Sequence, residues 1–385
     1  MNSTITRLKT LRAATATATA ATSRPSGETR LAALDDFGSN PGALDAFAFV
    51  PTDLPPRAPL VVVLHGCTQS AAGYDQAAGW TSAADRFGFA VLFPEQRRMN
   101  NPNLCFTWFS AADTARGAGE AHSIRQMVAA MQARHDLDPQ RIFVTGLSAG
   151  GAMTAAMLAS YPEVFAGGAV IAGLPYGVAT SVPEAFDRMR GHELPAAHDL
   201  TTRVKDASRY AGPWPTLSVW HGSADATVDP ANGRALVDQW RGLHDLPEIP
   251  SCTDLVDGAV RRTWNGPEGT PFIEHIAIAG MGHGTPVGVR ASEGDEQPAP
   301  FMLEVGISST RRILESWGLA PAVQHKRTAS KPAAKSSPAP ASAVALPKAM
   351  LPSSPASRRA AAFPPSADPI TRTIESALRK AGLMR

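Results

Sequence analysis

Cysteine is scarce in this chain of 385 residues, with three at positions 67, 105 and 252. That density is far below a disulfide-built secreted scaffold, and the three lack the paired spacing of a zinc site, so no metal is expected. The odd count leaves at least one free thiol or an intermolecular bond. Also missing is any stretch approaching the roughly 20 apolar residues needed to cross a bilayer, which argues against a transmembrane segment. There is no internal repeat. Net charge is small at +2, yet residues 321–385 hold 11 Lys and Arg against 2 acids, a surplus of nine that leaves the rest of the chain at −7. We read this basic tail as a solvated, disordered segment, with contact to a polyanion or an anionic surface as the alternative; no nucleic-acid partner is expected. Residues 1–26 carry Arg7, Lys9 and Arg12 ahead of an alternating Ala and Thr run. That run is too weakly apolar for a secretory leader and gives no support for export.

What is present is apolar sequence in short blocks. Hydrophobic residues make up 44% of the chain, ample for a core. Strand-like runs recur at 44–50, 60–64, 89–93, 142–145, 169–172, 217–220 and 273–278, several of them unbroken as in parallel strands buried on both faces. Between them lie helical patterns; one starting near Glu120 places Ile124, Met127, Val128 and Met131 on a single stripe. Strands alternating with helices imply an α/β fold, with a mostly parallel central sheet flanked by helices on both faces. The expected organisation is a flexible segment over 1–30, a catalytic domain over 31–320, an Ala, Pro, Ser and Lys-rich linker over 321–367, and a short amphipathic helix over 368–385. Residues 176–215 break the alternation and read as an inserted cap or a helical excursion over the site, or as a surface linker.

The chemistry is concentrated at Gly146-Leu147-Ser148-Ala149-Gly150, which follows an apolar run and opens an alanine- and methionine-rich segment. A G-x-S-x-G between a strand and a helix is a nucleophile elbow: the glycines leave room for a tight turn that lifts the serine hydroxyl above the sheet edge. A serine alcohol is a poor nucleophile at neutral pH, so Ser148 needs a base, and the base needs an acid to fix its tautomer. In an α/β-hydrolase these follow in the order nucleophile, acid, histidine. The strand-end loop 221–229 offers Asp225 as the acid, with Asp229 as competitor and a turn-forming role as the alternative for both. Ala279-Gly280-Met281-Gly282-His283-Gly284 frames His283 with glycines, making it the candidate general base. His221 reads as structural, whereas His122, His135, His192, His198, His244, His275 and His325 lack a glycine-flanked strand-end loop and are mostly expected to face solvent. Two amide donors are needed for an oxyanion hole, and Ala149 and Cys67 stand at the expected places. A thiol nucleophile at Cys67 is the rival reading, without an evident second base.

Leu64-His65-Gly66-Cys67-Thr68-Gln69, Cys105-Phe106-Thr107-Trp108-Phe109, Gly119-Glu120, the glycine-serine stretch 146–151 and Gly173-Leu174-Pro175-Tyr176-Gly177 together resemble the polyhydroxybutyrate depolymerase family of esterases. The resemblance spans about residues 30–318. It implies Ser148, Asp225 and His283 as the triad, an oxyanion amide from Cys67, Trp108 lining the acyl or hydroxyacyl pocket, no cofactor and an extracellular setting; the leader leaves a cytoplasmic one as the alternative. Cys67 and Cys105 sit in motifs that converge on the site, so an oxidising compartment would allow a disulfide between them, subject to geometry. The chain departs from the family after the histidine, where Gly284-Thr285-Pro286-Val287 replaces an aromatic and a Pro-Gly-Gly stretch. Its tail is too small for an adsorption domain, which favours hydroxyalkanoate oligomers or small esters over a crystalline polymer. A feruloyl or acetylxylan esterase is the alternative enzyme. A granule- or surface-associated binding protein on a hydrolase scaffold is the alternative of another class.

Overall fold

A computed structural model describes residues 29–292 and 294–322. His325 and the readings made for the amino-terminal segment, the linker and the terminal helix fall outside the described residues, apart from residues 29–30 and 321–322.

Ten strands form one sheet: β1 (Ala32–Ala33), β2 (Asp45–Phe49), β3 (Ala58–Leu64), β4 (Ala90–Glu95), β5 (Leu137–Leu147), β6 (Gly167–Ile171), β7 (Thr216–Gly222), β8 (Cys252–Val256), β9 (Ala259–Asn265) and β10 (Pro271–Ile278). Their spatial order is β1-β2-β4-β3-β5-β6-β7-β10-β9-β8. The six strands from β4 to β10 in this order pair in parallel, and antiparallel strands close both edges. All seven predicted strand runs fall on strands of this sheet. Beyond it, β11 (Thr285–Val287) pairs with β12 (Met302–Glu304), so the segment where the family resemblance breaks is a short strand beside the site.

Alternation along the inner strands divides the core in two. Leu60, Val62 and Leu64 of β3 face one cluster, and Val61 and Val63 face the other. The first cluster is closed by α4 (Gly119–Arg134), α5 (Ala149–Ser160) and α8 (Ala231–His244), and the second by α1 (Ala71–Ala78), α2 (Trp80–Phe87) and α9 (Ser309–Ser316). Every residue of the Ile124, Met127, Val128 and Met131 stripe is fully buried. Each such side chain contributes about 1.5–3 kcal/mol by leaving water, which is why both faces of the central strands are apolar. Three further helices complete the described residues: α3 (Ala111–Thr114) and, within the interrupted region, α6 (Val182–Met189) and α7 (Ala197–Ser208). That region is therefore a helical excursion, with α7 packed on α5 and α8. Among the described residues no helix is long and apolar enough to span a membrane.

Candidate active site

Strand β5 ends at Leu147 and α5 begins at Ala149, with Ser148 alone between them at φ 56° and ψ −116°. A non-glycine residue held there costs roughly 1–3 kcal/mol, and the surroundings enforce it. The Ser148 amide donates to Ile171 O at 2.9 Å. The flanking glycines serve close approach and have no positive φ of their own. A Cβ on Gly150 would run into the carbonyl oxygens of Leu64 and His65, and one on Gly146 would strike the Gly150 backbone.

The loops that carry Asp225 and His283 leave the ends of the paired strands β7 and β10 and are stitched together: Ser223 N donates to Ile278 O (2.9 Å), Ala224 N to Met281 O (3.0 Å) and Gly280 N to Ser223 Oγ (2.9 Å). Asp225 Oδ1 accepts the amides of Thr227 and Val228, both at 2.9 Å. Its Oδ2 accepts from His283 Nδ1 at 2.8 Å, which leaves Nε2 bare to accept the Ser148 hydroxyl at 2.9 Å. Burial alone would raise the Asp225 pKa, but the hydrogen bonds and charges of His221 and His283 outweigh it and hold the carboxyl far below the usual carboxylate range. The competitor Asp229 is engaged elsewhere, its Oδ1 accepting Ala231 N at 2.7 Å at the start of α8.

The loop that carries Cys67 follows β3. Gly66 N donates to Gln69 Oε1 (2.8 Å), Thr68 N to Asn103 O (2.7 Å) and Gln69 N to Gly66 O (3.3 Å), leaving the Cys67 amide as the one of these four without a partner among the described residues. Ala149 N belongs to the first turn of α5, whose amides have no partner within the helix. Cys67 is bonded to Cys105, so it holds no thiol to attack a substrate, and Cys252 is free and exposed on β8.

Trp108 is buried against Ala149, Ala152 and Leu174, stands edge-on to Phe109 with centroids 5.6 Å apart, and lines the pocket over Ser148. The pocket and the open solvent at its mouth together span about 1050 Å³, and its walls are mostly apolar. Val182, Ala185, Phe186 and Met189 of α6 form one side, and Phe301, edge-on to the His283 ring, forms another. The interrupted region thus contributes a wall of the site.

The histidines require a correction. Among those expected to face solvent, His192 and His198 are exposed, His122, His135 and His244 are half-buried, and His275 is buried because β10 lies between β7 and β9. His221 is buried beneath the acid loop, donating from Nε2 to Val228 O at 2.9 Å with Asp225 Oδ2 3.3 Å away, as a structural role requires. Sequence reasoning missed His65. Its Nε2 accepts Gln96 N at 3.1 Å, so Nδ1 carries the proton and donates to Gly66 O at 2.8 Å. That carbonyl shares a peptide plane with the Cys67 amide, so the ring fixes the direction in which the amide points. Burial pushes the His65 pKa down to about 4, against the raising effect of the Gly66 hydrogen bond, and keeps the ring neutral.

A strained serine, an imidazole and a carboxylate joined in series at the carboxyl edge of a parallel sheet are the arrangement of an α/β-hydrolase, and the relatives make the chain a carboxylic ester hydrolase. The family model for esterase PHB depolymerase matches residues 45–252, and the chain belongs to that family. It is 45% identical over 293 residues, covering 75% of this chain and 70% of the other, to poly(3-hydroxyalkanoate) depolymerase C of Paucimonas lemoignei. Acetylxylan esterase A of Aspergillus oryzae is 31% identical over 260 residues, covering 64% of this chain and 82% of its own length. The solved acetyl xylan esterase from Aspergillus awamori superposes with a TM-score of 0.64 at 25% identity, over 75% of this chain and 99% of its own.

Proposed function

We propose that Ser148 is the nucleophile, His283 the general base and Asp225 the acid of this esterase, acting on hydroxyalkanoate oligomers or related small esters. The observation that carries the triad is the unbroken line from Asp225 Oδ2 through His283 to Ser148 Oγ, with links of 2.8 and 2.9 Å. As Ser148 attacks the ester carbonyl, His283 takes its proton and Asp225 stabilises the imidazolium. The carbonyl oxygen becomes negative, and the amides of Cys67 and Ala149 are the donors aimed at it. When the bond to the alcohol breaks, His283 returns the proton to the leaving oxygen. Water then attacks the acyl-serine by the same route and frees the acid. The apolar wall holding Trp108, Phe186 and Met189 suits a short aliphatic acyl unit.

Identity of 45% to a poly(3-hydroxyalkanoate) depolymerase, against 31% to an acetylxylan esterase, supports the hydroxyalkanoate choice. The second reading is a feruloyl or acetylxylan esterase. Hydroxybutyrate oligomers, feruloyl esters and acetylated xylan, assayed side by side, separate them: higher kcat/KM on the oligomers is expected, and preferential release of ferulate or acetate overturns the substrate choice. The Cys67 to Cys105 bond also favours work in an oxidising compartment.

A further inference from the structure

Behind the oxyanion loop lies a polar cluster that no step of the hydrolysis touches. Gln96, just past the end of β4, and Glu120, in the first turn of α4, are both buried. Gln96 Nε2 donates to Glu120 Oε1 at 2.6 Å and to Cys105 O at 3.2 Å. Its Oε1 accepts Arg97 N at 3.0 Å and Asn100 Nδ2 at 2.8 Å. Glu120 also accepts Thr107 Oγ1 at 2.9 Å on Oε1 and Thr107 N at 2.8 Å on Oε2. Each end of this cluster abuts the pocket. Thr107 precedes Trp108, and the main-chain N–H of Gln96 is the donor that sets the His65 ring and, through it, the Gly66-Cys67 peptide plane.

Every partner of the Glu120 carboxyl group shown here is a donor, so both of its oxygens are used in a place where an unpartnered polar group would be destabilising. The disulfide already ties Cys67 to Cys105, but a bond between side chains leaves the adjoining peptide planes free to rock. The hydrogen-bonded route acts on the plane itself. An oxyanion donor works only when it points at the place where charge develops, and small errors in aim weaken the transition state more than the ground state.

We propose that Gln96 and Glu120 are positioning residues for ester hydrolysis, locking the Cys67 amide to the wall that carries Trp108. The inference rests on the role assigned to the Cys67 amide above. Glu120→Gln keeps shape and an acceptor for Thr107 N but sets an amide against the Gln96 amide. It is expected to lower kcat on a soluble ester by about tenfold, short of the 10²–10³ that follows loss of an oxyanion donor, while KM shifts less than about twofold. Gln96→Glu places two carboxyl groups together and is expected to lose more, and the exchange variant carrying both substitutions restores opposite character to the pair and recovers kcat over Gln96→Glu. An organophosphonate must still label Ser148 stoichiometrically in Glu120→Gln, with melting temperature measured alongside. Unchanged kcat, a loss confined to KM, or an exchange variant no better than Gln96→Glu overturns the inference; failure of the wild-type enzyme to be labelled at Ser148 would instead overturn the triad beneath it.

Discussion

His283 Nε2 lies 2.9 Å from Ser148 Oγ although 135 residues separate them in the chain. Neither loop holds that distance alone. Ser148 is fixed by β5 and α5, and His283 by β10 and by the bonds its loop makes to the loop of Asp225. The sheet supplies the registration, because β6 and β7 lie between β5 and β10 in parallel and bring their carboxyl ends to one edge.

Asp225 and Asp229 are separable by mutation. Asp225→Asn offers an amide N–H to His283 Nδ1, which moves the ring proton to Nε2 and leaves no base for Ser148; kcat is expected to fall by about 10⁴. Asp229→Ala removes only the acceptor for Ala231 N and is expected to cost about 1 kcal/mol of stability with kcat retained. Steady-state kinetics with thermal melts on both variants distinguish the two carboxylates, and the reverse pattern would reassign the acid.

Thiol titration tests the bonded pair. Cys67 and Cys105 are bonded and Cys252 is free, so one thiol is expected in unreduced, denatured protein and three after reduction. Replacing both bonded cysteines by serine is expected to cost about 2–4 kcal/mol, from the loop the bond closes in the unfolded chain. Three thiols before reduction would refute the bond.

Buried titratable groups away from the reacting atoms set opposing pH dependences on stability. Burial is the main cause pushing Glu120 and Glu296 from 4.5 up to about 7. Their contribution is complete below the ordinary value and is lost as pH rises through about 7. Burial pushes His65 and His275 from 6.5 down to about 4, so theirs is present above 6.5 and is lost as pH falls toward 4. The two pairs offset each other between those limits, and the decline should appear above them. Melting temperature of the wild type is expected to fall between about pH 6.5 and pH 8, and Glu296→Gln, which cannot ionise, to gain on it over that interval. A variant that loses ground there contradicts the assignment.

Much of this site was legible because each piece lies where an apolar run meets a glycine-rich turn. Ser148, Asp225 and His283 all follow strands buried on both faces, and that pattern is local. Edge strands were not legible: β8 is largely exposed, and β9 carries Arg261 and Arg262 in place of a continuous apolar run. The α6 wall was legible only as one of several readings of 176–215, a cap or helical excursion over the site against a surface linker, because its contact with the pocket depends on where the sheet edge lies. Glu120 and His65 stood in motifs but without a role, and Gln96 gave no signal. Their meaning is in hydrogen bonds to partners distant along the chain, which periodicity does not encode. The burial of His275 comes from strand order, with β10 seated between β7 and β9, which is likewise set by segments distant along the chain.

The most direct test of the account is reaction of the intact protein with an organophosphonate, followed by peptide mapping and by turnover of Ser148→Ala. One adduct per chain on Ser148 is expected, formed in step with loss of hydrolysis, together with a fall of at least about a thousandfold in the alanine variant. An adduct on any other residue, or an alanine variant that still hydrolyses esters at the wild-type rate, would contradict it.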